Sequence, residues 1–293
     1  METSGDGRAP AALRALPGDA ARQIMWRFAD RADLQALARS ARAVARGPVA
    51  RVVSAGGRGT HDWTAEKNGL LGEFDRAGLS TLRLTPGPVD ARGAPRNLAL
   101  ALVAFELSWV DAGAAISSLA QHLAFAPIRE RGTPEQRRRY LPDEAQDDAT
   151  PPRRGAFVLT EPIPYVGVDT GTLSGKMRVA EWRDGEEPVL QVDKRGRFIT
   201  NMGFADFVAA AVESADDRVT GSCLILLEQD DPGVFARGRP TRKLIQQLSS
   251  TCDPVFSLRL HEPLVLRPSM AVRWELGGRM FLTVLAIGLL ISL

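Results

Sequence analysis

Up to about residue 142 the apolar positions of the chain return every three or four residues; from Ala156 they return every second one. The first spacing is that of a helix face and the second that of a half-buried strand. "GDAARQIMWRFAD", "RADLQALARSARAVARGPVARVVS" and "DWTAEKNGLLGEFDRAG" read as helices, with Asp19 and Asp33 as early-turn acids and Gly78 as an exit. "LALALVAFELSWVDAGAAISSLAQHLAFAPIRERG" is apolar on more than one face and belongs at the centre of a helical layer. "GTPEQRRRYLP" predicts a short helix with Thr133 as N-cap, Pro134 at its first position and Pro142 past its end.

The period-two runs "AFVLTEP", "LQVDKRGRFITNM", "FADFVAAAVES", "TGSCLILLEQ" and "VFSLRLHEPLVL" are separated by turn-rich stretches such as "RDGEEP" and "QDDPG". Short strands at this spacing predict a small antiparallel barrel or sandwich. "DEAQDDATPPRRG" is the expected linker. The class is α+β: a helical domain over 1–150, a β-barrel domain over 151–268 and one apolar helix over 269–293. "MFLTVLAIGLLISL" would span roughly 21 Å as a helix, short of a bilayer core, so a buried helix rather than a membrane span is expected.

Composition narrows the classes. The 293 residues are 44% hydrophobic and 25% charged, with 37 Lys+Arg against 35 Asp+Glu for a net charge of +2. The densest basic run, "EQRRRY", is followed at once by "DEAQDD", which reads as a solvated helix end, not a nucleic-acid face. Two cysteines make neither a disulfide framework nor a CxxC metal site, and the three histidines lack ligand spacing. With no apolar core in "METSGDGRAP", a reducing, cytoplasmic setting is the expectation.

Two strand ends carry the candidate chemistry. "GAFVLTEP" stops on a threonine and a carboxylate, and "RFITNMGFAD" gathers Phe198, Thr200 and Asn201 just before Gly203. Neighbouring strand ends with a hydroxyl each and apolar companions make a flat slot with polar edges, suited to a planar heterocycle. From chemistry alone two ordinary strand ends explain the same residues.

These pieces, together with "FELSWVDAG", "PIRERGTPEQRRRYLP" and "KLIQQLSSTCDPVFSLRL" in the same order and near-family spacing, give a sequence that resembles the flavin-dependent acyl-CoA dehydrogenases. The resemblance implies a helical domain, a β-barrel domain and a C-terminal four-helix domain with FAD between them. It implies that Phe157, Leu159 and Thr160 line the isoalloxazine ring, Thr160 bonding its edge. Phe198 stands where the family packs a tryptophan on the flavin, and Thr200 where a threonine contacts the ring. It implies an acyl-CoA thioester as substrate, a carboxylate that removes the α-proton, FAD as hydride acceptor, and electron-transfer flavoprotein or a similar acceptor as partner.

One departure falls in the loop "TEPIPYVGVD", longer than the family pattern, with Val168 in place of a serine. Gly167 and the backbone of Val168 are expected beside the substrate, and the Pro-Tyr-Val insertion reshapes its entrance. The family's base lies on the C-terminal helical domain, of which "GRMFLTVLAIGLLISL" resembles only the first helix. Glu161 is expected to be structural. The resemblance therefore implies an incomplete site, completed by a partner chain or further helices, and a homo- or hetero-oligomer formed through the apolar C-terminal helix. A non-catalytic acyl-CoA- or protein-binding module, or a flavin oxidase or monooxygenase, is the alternative on the same fold.

Overall fold

Leu34, Ala38, Ala41 and Val44 recur at helical spacing and form the buried face of α1 (Ala32–Val44). The computed structural model describes residues 31–80, 96–141, 153–162, 173–181, 183, 189–217, 222–228, 239–241, 248–260 and 264–266. Helix α1 runs through a π-helical turn, Ala45–Val49, into α2 (Ala50–Ser54), and Pro48 sits inside that turn. A proline has no amide to donate and crowds the preceding turn, which the wider π geometry accommodates. The Thr64 hydroxyl caps α3 (Ala65–Arg76) by accepting from the Lys67 amide at 3.4 Å, and the chain leaves it through Gly78 at φ +68°.

The long apolar run is three helices: α4 (Arg96–Ser108), α5 (Ala112–Leu119) and α6 (His122–Arg131). Asp111 makes the first break by capping α5, its Oδ1 accepting from the Ala114 amide at 2.9 Å. Thr133 and Gln136 form a reciprocal capping box on α7 (Pro134–Tyr140), as the position of Thr133 predicts for its start.

The strands are β1 (Gly155–Val158), β2 (Lys176–Glu181), β3 (Val189–Arg195), β4 (Ile199–Thr200), β5 (Phe207–Ser214), β6 (Ser222–Glu228), β7 (Arg239–Pro240), β8 (Thr251–Asp253), β9 (Val255–Leu260) and β10 (Leu264–Leu266). The larger sheet runs β10-β6-β5-β2-β3-β9, with β1 beside β5; a smaller one runs β4-β8-β7. The mixed α and β class holds, but the sheet is not purely antiparallel: β1 and β2 both run parallel to β5. Strand β5, "FVAAAV" at its start, is buried at every position from Phe207 to Val212. Such a strand has cover on both faces and does not alternate, the habit of parallel neighbours. One face of β5 joins Ala156, Val158, Ile225 and Phe256 in the sheet core; the other packs Phe207 and Ala209 on Ala124, Phe125 and Tyr140 of the helical half.

Gly155–Val158 lies opposite Phe207–Ala210, and Lys176 lies opposite Glu213. Strands β1 and β2 therefore follow one another along the same edge of β5. Gly167 and Val168, the 269–293 helix and the first thirty residues lie outside the described residues.

Candidate functional site

The two strand ends that the sequence singles out meet. The Arg197 amide donates to the Thr160 carbonyl at 3.0 Å, and the Thr160 hydroxyl donates to the Arg197 carbonyl. Phe157 and Leu159 point away from the sheet core that holds Ala156 and Val158; both are half-buried beside Leu173, Ala211 and Leu224. Thr200, also half-buried, is paired with Thr251 across β4 and β8.

Between Arg197 and Thr200 the chain turns through Phe198 in the left-handed region, φ +58°, with its side chain 49% exposed. An aromatic residue held there costs about 1–2 kcal/mol against a glycine, so its surroundings must fix it. They do so through the Phe198 amide, which donates to Asp253 Oδ1 at 2.8 Å, and the Gly196 amide, which donates to the Pro254 carbonyl at 2.8 Å. The Arg197 guanidinium lies 4.8 Å from the Phe198 ring centroid. An exposed aromatic ring, two half-buried apolar side chains and two hydroxyls thus share one pair of strand ends. Residues of these types are what a planar ring with a polar rim would need. Thr160 spends its own proton on Arg197, so its free lone pairs would accept from a ring N–H.

Sequence reasoning missed the side chain that secures this arrangement. Lys194 is fully buried, and its Nζ donates to Glu161 Oε1 at 2.5 Å and to the Leu159 carbonyl at 3.2 Å. Glu161 also accepts the Ser174 and Gly175 amides, both at 2.8 Å. Burial pushes the Glu161 carboxyl up, but bonds from Lys194, Ser174 and Gly175 outweigh it and bring it down to about 2. Burial likewise lowers Lys194, against the pull of Glu161. Glu161 is therefore structural, as expected. A cleft of about 500 Å³ opens beside this pair, lined by Pro162, Ser174, Asp193, Arg195 and Val255 among others.

A second buried carboxylate holds the helical half against these strand ends. Asp111 Oδ1 accepts from the Leu248 amide at 3.1 Å as well as capping α5, and Oδ2 accepts from Arg58 Nε at 2.6 Å. Ser117 Oγ donates to the Leu248 carbonyl at 2.8 Å. The following residue pair, Ser249 and Ser250, leads into β8: the Ser250 carbonyl accepts from the Asn201 amide at 3.0 Å and its hydroxyl from the Gly203 amide at 2.8 Å. Trp63 packs on Phe204 with ring centroids 4.5 Å apart. Glu161 is committed to Lys194 and two backbone amides, and Asp253 Oδ1 accepts from the Thr241 hydroxyl at 2.6 Å as well as from the Phe198 amide.

Residues 31–148 match the family model described as acyl-CoA dehydrogenase, N-terminal domain. No protein of curated function matches the sequence. Among solved structures, butyryl-CoA dehydrogenase from Megasphaera elsdenii superposes with a TM-score of 0.67 at 23% identity, over 88% of this chain and 65% of its own. A glutaryl-CoA dehydrogenase from Mycobacterium smegmatis in complex with FADH2 gives 0.63 at 21% identity, over 88% of this chain and 62% of its own. Nitroalkane oxidase from Podospora anserina gives 0.63 at 15% identity, over 88% and 64%. The chain thus has the fold of the helical and sheet portions of acyl-CoA dehydrogenases, and it spans 62–65% of the length of these structures. Among the described residues no helix is long and apolar enough to cross a membrane.

Proposed function

We propose that this chain is an acyl-CoA dehydrogenase-like flavoprotein that binds FAD along the Phe157–Thr160 and Phe198–Thr200 strand ends. The observation that carries the reading is their junction: a strained, exposed aromatic turn bonded directly to a threonine-terminated strand. Phe157 and Leu159 would offer apolar contact to the ring, Phe198 would stack on it, and the hydroxyls of Thr160 and Thr200 would meet its polar rim. Bound FAD would supply the hydride acceptor for α,β-dehydrogenation of an acyl-CoA thioester.

The chain's own residues hold and orient. Glu161 is engaged by Lys194 and two backbone amides, and the reading takes the base that abstracts the proton from a further helix or a partner chain. Gly167 and Val168 are proposed to border the thioester arm, electron-transfer flavoprotein or a similar acceptor to remove the electrons, and the apolar residues 280–293 to mediate oligomerisation. Likeness to a nitroalkane oxidase favours a second reading, an oxidase on the same fold. The test is to mix the full chain with FAD and add short-chain acyl-CoA thioesters. Bleaching of the flavin band without oxygen consumption supports the dehydrogenase, oxygen uptake the oxidase, and a colourless protein neither.

A further inference from the structure

The flavin reading explains what the strand ends would touch but not what fixes their position. Strands β1 and β2 lie in line along one edge of β5, and the pairing of β1 ends at Val158 opposite Ala210, so Leu159 and Thr160 lie past its last paired residue. A strand end past its last ladder pair frays unless other bonds close it. The closing group is the buried pair. Glu161 takes the Ser174 and Gly175 amides, while Lys194 of β3 holds both Glu161 and the Leu159 carbonyl. The sites are mutually fitted: a Cβ on Gly175 would stand 2.4 Å from Lys194 Cδ and 3.3 Å from Glu161 Oε1. No side chain larger than glycine leaves the lysine where it is.

We propose that Lys194 is a positioning residue for the proposed flavin site. Through the Leu159 carbonyl and Glu161 it sets the strand end that bears Leu159 and Thr160, without touching the ring itself. The inference rests on the flavin reading for its functional half. Its structural half, that the lysine ties Leu159 and Glu161 to β3 and through Glu161 to Ser174 and Gly175, stands independently.

The experiment uses the full chain with Lys194→Met, Lys194→Arg, and Arg42→Met as control. The control breaks another ion pair onto a buried carboxylate, Glu106, in the helical half at 2.8 Å. Because Lys194→Met strands a buried charge, Glu161→Gln combined with Lys194→Met, neutral at both positions, serves as the second variant. Two readouts are taken: amide hydrogen exchange at Ser174 and Gly175 without FAD, and the FAD dissociation constant from quenching of flavin fluorescence.

In Lys194→Met or the neutral double variant, exchange at Ser174 and Gly175 accelerates and FAD binding weakens by about tenfold or more. Lys194→Arg restores part of both, and Arg42→Met loses stability with neither changed. Wild-type exchange and affinity in the lysine variants, or equal FAD loss in Arg42→Met, overturns the proposal. If the wild-type chain takes up no FAD, the flavin reading falls; unchanged exchange with normal FAD uptake by the wild type sinks the positioning role alone.

Discussion

Replacing Asp111 with alanine removes one carboxylate and opens three contacts at once. The α5 cap is lost, at about 1 kcal/mol. The Leu248 amide, buried and bonded to Oδ1 at 3.1 Å, is left without its acceptor, at about 1–3 kcal/mol. The Arg58 pair is short at 2.6 Å, but the arginine is 43% exposed, so solvent screening limits its loss to under about 1 kcal/mol. Asp111→Ala is therefore expected to destabilise the fold by about 2–5 kcal/mol. Asp111→Asn keeps an oxygen for both amides and caps as well as aspartate, so it loses about 1 kcal/mol or less. Urea unfolding of wild type and both variants, with the slopes compared, measures the difference. Hydrogen exchange at Leu248 locates it, since that amide opens in the alanine variant only. An alanine variant within about 0.5 kcal/mol of wild type, or an asparagine variant as damaged as alanine, would refute the assignment of Asp111 as the clasp between the two halves.

Phe198→Gly relieves the left-handed strain and removes the exposed ring together. Thermal melts of the FAD-free chain should show a stability equal to wild type or higher by up to about 1 kcal/mol, while FAD affinity falls; retained affinity would remove Phe198 from the site. Acid titration reports the buried carboxylates. Glu161 is held near 2, and Glu228 is brought down to about 2 because bonds from Arg153, Tyr140 and Arg139 outweigh its burial. Folded values below the ordinary 4.5 mean that this stability is present above about pH 4.5 and is lost as the pH falls towards 2, on the order of 3 kcal/mol per group. Urea midpoints across that window should fall steeply in wild type and less steeply in Glu161→Gln or Glu228→Gln; parallel curves would contradict the pairing.

What the sequence disclosed followed its periodicities. Thr133 announced its helix because a cap is a local event, written in three or four consecutive residues. The meeting of the two strand ends, Thr160 with Arg197, was legible because both segments break their alternation in the same way. Strand β2 was missed: "KMRVAE" carries Lys176, Arg178 and Glu181 on a short strand whose burial barely alternates. The parallel pairing of β1 and β2 with β5 was invisible for a different reason, since direction is decided by how the chain returns, not by any single strand. Nothing in the runs around Lys194 and Asp111 singles out either charge. Each is buried only because partners at Glu161 and Leu248, far along the chain, satisfy it, and no local pattern encodes a partner at that separation.

The central claim is that the Phe157–Thr160 and Phe198–Thr200 strand ends form one flavin-binding edge. Titrating the full chain with FAD and recording the visible absorption of the protein-bound fraction tests it most directly, with a Thr160→Val, Phe198→Ala double variant in parallel. The account predicts a saturable complex whose flavin band is shifted and structured relative to free FAD in wild type, and weakened or abolished in the variant. A wild-type spectrum indistinguishable from free FAD, or an unchanged complex in the variant, would contradict it.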